Sequence, residues 1–171
     1  LRAASVDPVS FVYPRNRVGH RDVLADRGFD IVRTPDAEWY EQRSLPGWLR
    51  KPLRFATEAT RRTPPVVTPT MRDGLVEIPG SQLYRPLHGG WQYTPDGSQV
   101  DRALAGLDRA AETGKIFHLW FHPSNLARDP GPLLDGLERV FEHAAVLRDA
   151  GELAIRPMDE VATAFRNGRW S

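Results

Sequence analysis

The sequence predicts an α/β fold with a largely parallel sheet or barrel. Three observations carry this. A strand–helix–strand succession occupies residues 10–33. A strongly strand-like segment, Ile116–Phe121, follows a helix that ends at Gly114. Helix-spaced apolar residues then return after Asp129-Pro130. Strands alternating with helices favour parallel pairing.

The elements follow in order. Ser10-Phe11-Val12-Tyr13 is β-prone and stops at Pro14. His20 to Arg27 is a short helix with Gly28 placed to end it. Phe29-Asp30-Ile31-Val32-Arg33 alternates apolar and polar, as a strand does. Residues 34–69 form an irregular insertion in which Pro46 and Pro52 are expected to interrupt any helix. Trp39, Tyr40, Trp48 and Phe55 lie there among Arg43, Arg50, Lys51, Arg54, Arg61 and Arg62. Two readings fit: a carbohydrate-facing surface, or an excursion whose aromatics anchor it to the body.

Leu75–Pro79 reads as a strand and Tyr84–Tyr93 as a loop. Val100, Leu104, Leu107 and Ala111 mark a helix. A second helix opens at Asp129-Pro130, with an apolar face of Leu133, Leu137, Val140, Phe141, Ala144 and Leu147, and closes at Gly151. A strand over Glu152–Ile155 and a helix over Met158–Phe165 complete the series.

Composition narrows the classes. The 171 residues fit a single domain. Apolar residues make up 40% and charged residues 26%, as in soluble globular proteins. A net charge of +1 gives no reason to expect nucleic acid or an acidic membrane as partner. Cysteine is absent, which excludes disulfides and thiolate metal sites. No apolar run reaches the ~18 residues of a membrane span. The chain opens on Leu1 without an initiator Met, so it is expected to begin inside a longer protein.

Candidate chemistry gathers after two strands, where parallel folds place their sites. In Ile116–Pro123, His118, Trp120 and His122 share one strand face, and Phe117, Leu119 and Phe121 the other. The first face suits a pocket lining and the second a packed surface. His122 sits last, before Pro123, where a histidine serves as general acid or base. His118 and His122 at i, i+4 also invite a two-histidine metal site. On a strand they lie about 13 Å apart, too far for one ion; only a helix would bring them together. A hydrogen-bonded core role for His118 stands beside the functional one. The second group is Pro14, Arg15 and Asn16, whose polar side chains could bind a carboxylate or sugar hydroxyls, or form a solvated loop.

These pieces resemble the polysaccharide deacetylase (carbohydrate esterase 4-like) superfamily. The matching segments are Phe11–Val18, Val23–Phe29 leading to Arg33, Leu75–Ser81, Ile116–Pro123, and the closing Met158-Asp159-Glu160-Val161-Ala162. They span most of the chain and preserve the family's order. The resemblance implies a distorted (β/α) barrel that removes acetyl groups from sugars, or hydrolyses other non-peptide C–N bonds. It implies a divalent metal, commonly zinc, held by an Asp and two His. His122 matches the late-strand histidine that protonates the leaving group. Pro14 and Arg15 match the segment that shapes the acyl pocket, although the family more often has Arg before the proline. Asn16, His118 and Trp120 are expected to contact substrate.

The metal-holding motifs should precede Pro14, where only Asp7 is acidic and no histidine occurs. The chain is therefore expected to be an incomplete barrel that binds no metal by itself, with zinc in the full-length parent. A poly- or oligosaccharide is the expected substrate, and exposed sheet edges predict self-association. The competing reading is a non-catalytic module binding carbohydrate or a partner through Trp39, Tyr40, Trp48 and Trp91. A third is an enzyme whose metal is held by His118, His122 and a carboxylate.

Overall fold

The structure, a computed structural model, describes residues 9–42 and 45–169, without the side chains of Arg15, Glu41 and Gln42. Asp7, Arg43 and the Arg15 side chain, all named above, therefore lie outside the described residues. The fold is mixed α/β, with no closed barrel among those residues. In chain order the strands are β1 (Ser10–Val12), β2 (Ile31–Thr34), β3 (Thr70–Arg72), β4 (Leu75–Pro79), β5 (Gln82–Leu83) and β6 (Leu119–Trp120). The helices are α1 (Arg21–Asp26), α2 (Trp39–Gln42), α3 (Gly47–Ala59), α4 (Ser98–Thr113), α5 (Pro123–Leu126), α6 (Pro130–Asp149) and α7 (Met158–Arg166). None is long and apolar enough to cross a membrane.

The chain packs as two compact units, divided at Pro35/Asp36, Val67/Thr68, Pro79/Gly80 and Ile155/Arg156. The first holds the sheet β1-β2-β4-β3, in which β1, β2 and β4 are parallel and β3 is an antiparallel edge. Ser10 pairs with Ile31, and Ile31 with Val76. Asp73 and Gly74 both have positive φ, at 50° and 80°, between the paired Arg72 and Leu75. That is the two-residue turn whose twist suits a hairpin. Tyr13, Val32 and Leu75 form the buried core, with Phe11, Leu24 and Phe29 packed on it. Arg166 of α7 donates to the Asp30 carboxylate, to the Asp30 carbonyl at 3.2 Å and to the Gly74 carbonyl at 3.1 Å.

The second unit holds the parallel pair β5-β6 and the α4–α6 packing. Its core is Tyr84, Val100, Ala103, Leu107, Leu133, Leu137, Val140 and Ala144, with Phe117 and Leu119 against it. Tyr84 is fully buried, and its hydroxyl donates to the Leu133 carbonyl at 2.8 Å. Burial pushes that hydroxyl's pKa up to about 12.

Gly136 makes this packing possible. A Cβ there would overlap the Tyr84 hydroxyl and lie 2.9 Å from Val100 Cγ2. Gly136→Ala is expected to destabilise by about 1–3 kcal/mol through overpacking, despite alanine's better helix propensity. Urea unfolding checks this: a raised midpoint would show that Tyr84 does not press on α6.

Several sequence expectations are corrected. α3 runs through Pro52, which removes one helical donor without ending the helix; Pro46 instead occupies its N-cap. Residues 34–69 are thus partly helical. Ile116–Phe121 contributes only the two-residue β6 and a bridge from Ile116 to Val67, because β5 offers two partners. Glu152–Ile155 is not a strand; among the described residues no strand pairs with it, and Ile155 is exposed. Phe141 is also exposed, on the outer side of α6. Tyr84–Tyr93, read as a loop, holds a 3-10 turn at Gly89–Tyr93.

Candidate active site

The second unit carries His118, Trp120 and His122, and it brings the rings of the last two together. β6 is fixed beside β5 by Ser81 N donating to the His118 carbonyl at 3.0 Å and Tyr84 N to the Trp120 carbonyl at 2.8 Å. His118 N donates in turn to Ser81 Oγ at 3.0 Å. His122 follows the strand in extended conformation, and Pro123 opens α5 directly after it. The proline both ends the pairing and disfavours a helical His122. His122 is exposed, and its ring meets Trp120 edge-on, with centroids 5.5 Å apart and planes at 88°. The shared face expected of Trp120 and His122 is therefore present.

Trp120 reaches a residue that no sequence pattern singles out. Its Nε1 donates to Asp36 Oδ1 at 2.8 Å. The two groups meet over Gly80, whose carbonyl accepts Ala37 N at 2.9 Å.

Asp36 also lines a cleft of about 310 Å³, open solvent at its mouth included. Its wall is a buried ionic network. Arg102, 3% exposed, donates to Glu38 at 2.8 Å, to Glu58, and through Nε to the Arg62 carbonyl at 2.8 Å. Arg85 Nη2 donates to Thr94 Oγ1 at 2.7 Å and Ser98 Oγ at 3.1 Å. Arg85 Nε lies 3.3 Å from Glu58 Oε2 but makes no aligned hydrogen bond, so that contact is an ion pair only. The Arg85 guanidinium also caps the Trp91 ring at 4.9 Å. Gln99 binds both neighbours: its Oε1 accepts Arg85 N at 3.0 Å, and its carbonyl accepts Gln82 Nε2 at 2.8 Å. That bond fixes the Gln82 amide so that Oε1 faces away from Gln99 as an acceptor.

Four buried atoms of this wall, Arg85 Nε and Nη1, Gln82 Oε1 and Glu58 Oε2, have no hydrogen-bond partner. All four are closed to solvent, so this wall keeps unused hydrogen-bonding capacity inside it. Burial lowers the pKa of Arg85, against the opposing pull of Glu58. Burial raises Glu38, with Arg102 opposing, and raises Tyr40, with Glu38's charge adding.

The Glu38 shift has a definite sign. A carboxyl raised in the folded state holds its proton where the unfolded chain releases it. Its contribution to stability is therefore complete below the ordinary carboxylate value and falls as pH climbs through the raised one. Glu38→Gln is expected to flatten that part of the stability–pH curve, as urea midpoints across mildly acidic pH would show. An unchanged slope would place the titration elsewhere.

Other candidates fall differently. Pro14–Asn16 forms a 3-10 turn after β1, in the first unit. Asn16, at φ 55°, accepts a hydrogen bond from buried Arg33 through Oδ1. Of the aromatics, Tyr40 is buried, Trp48 is 74% exposed, and Trp91 lies on the cleft. Among the described residues no three His, Asp or Glu side chains gather to hold a metal ion. The zinc set implied by the resemblance has no fit there, and no chemical step is assigned to a metal. The chain matches no family model, no curated protein and no solved structure.

Proposed function

We propose that this chain carries the proton-donating part of a hydrolase that removes acetyl groups from poly- or oligosaccharides, with His122 as general acid. The observation that carries this reading is the placement of His122. It is an exposed imidazole at the C-terminal end of a parallel strand, backed by Trp120 and followed by Pro123. The ordered succession of deacetylase-like segments points the same way. A distorted (β/α) barrel belongs to the same proposal; its support is the same ordered succession of deacetylase-like segments.

In this mechanism water adds to the acyl carbonyl and yields a proton to the carboxylate base that the resemblance implies, which is not assigned to a residue of this chain. The tetrahedral intermediate then collapses with cleavage of the C–N or C–O bond. His122 passes its ring proton to the departing nitrogen or oxygen, which would otherwise leave as a high-energy anion. Trp120 and His118 flank the leaving sugar. The test is acetate release by the natural polypeptide from N- and O-acetylated oligosaccharides. Release above the uncatalysed rate is expected; none from either class would sink the proposal.

A second reading, a non-catalytic carbohydrate-binding module, is favoured by Trp91, which lines the cleft with the Arg85 guanidinium over its ring. An aromatic ring at a cleft mouth can stack on a sugar face without any chemistry following. Saccharide binding without acetate release would select it.

A further inference from the structure

We propose that Asp36 is a positioning residue that acts through Trp120 to set the ring of His122. The inference rests on the reading of His122 as the acid. Three observations carry it. First, the Asp36 carboxylate accepts the Trp120 indole proton at 2.8 Å, a charge-assisted bond across 84 positions of sequence. Second, Trp120 is partly buried, and the bond to Asp36 ties its indole where it meets His122 edge-on. An exposed histidine gains a defined orientation from that contact.

Third, the backbone is cut to fit. Gly80 is buried, and a Cβ on it would overlap the Asp36 carboxylate and lie 3.0 Å from Trp120 Nε1. Its carbonyl meanwhile accepts Ala37 N at 2.9 Å and keeps the Asp36 backbone alongside. Only glycine at position 80 leaves room for carboxylate and indole to meet. Gly80, Asp36 and Trp120 thus form one device, with the His122 ring at its end.

The test reads the His122 ring protons by NMR, which feel the Trp120 ring current and need no turnover. Trp120→Leu supplies the reference position without that current. Asp36→Ala is expected to move the His122 signals at least half of the way to that reference. Gly80→Ala should do the same. Asp36→Asn keeps an oxygen that accepts the indole proton and should stay near wild type. His122 signals left in place by Asp36→Ala, or moved equally by Asp36→Ala and Asp36→Asn, would overturn the proposal. On an N-acetylated substrate, Asp36→Ala should lower kcat and leave KM unchanged. Because the NMR arm is independent of activity, NMR shifts as expected without acetate release would remove the hydrolase reading alone.

Discussion

Replacing Arg102 with Met is expected to cost about 3–5 kcal/mol, the usual consequence of orphaning a buried charge. Arg102 is 3% exposed and serves two carboxylates, Glu38 and Glu58, both of them buried as well. Methionine fills similar volume, so the loss reports the unpaired charges rather than a cavity. Glu38 is already raised by burial against the pull of Arg102, and without that pull burial acts unopposed by its main partner. A double-mutant cycle sharpens the point. In a Glu38→Gln background Arg102→Met should cost less, because one carboxylate fewer is stranded. Equal costs in both backgrounds would mean that Glu38 and Arg102 are not coupled. Urea unfolding, followed by circular dichroism, supplies all four corners.

Much of the scaffold was legible from local chemistry. Gly28, Gly114 and Gly151 stand after α1, α4 and α6 with φ of 83°, 64° and 77°, the left-handed conformations that end helices. Elements with a local signal and a buried face, such as β4, appear where the sequence predicts them. β3 is not legible although Asp73-Gly74 marks its hairpin, because Thr70, Met71 and Arg72 are too short a run for a strand pattern and none of them is buried. Glu152–Ile155 has strand propensity but no partner, and propensity alone does not make a strand.

The candidate site divides in the same way. Trp120 and His122 follow from strand alternation. Asp36, Glu38, Glu58, Arg85 and Gln82 do not, because their partners lie far along the chain: Asp36 bonds Trp120, 84 positions away, and Glu38 bonds Arg102, 64 away. One signal was available. Gln99, Arg102, Ala103 and Gly106 recur at helical spacing on the buried face of α4, so an arginine sits where an apolar residue belongs. A charge on the apolar face of a helix implies a buried partner of opposite sign, here the carboxylates of Glu38 and Glu58.

The second large effect concerns His122 itself. His122→Ala is expected to lower kcat on an N-acetylated saccharide by about 10²–10⁴-fold with little change in KM, as loss of a general acid does. The ring lies at a strand end, exposed, with Trp120 rather than the core behind it. Its removal should therefore leave the fold intact, and an unchanged urea midpoint verifies this. The result follows from leaving-group chemistry: an amine expelled without a proton is a far worse leaving group than one expelled with it.

The central claim, that His122 donates this proton, is tested most directly by comparing two leaving groups on the same variant. The natural polypeptide and its His122→Ala form are assayed with an N-acetylated oligosaccharide and with 4-nitrophenyl acetate, whose phenolate departs without help. The account predicts a loss of order 10² or more on the amide and nearly full retention on the activated ester. Equal losses on both substrates, or none on the amide, would contradict it.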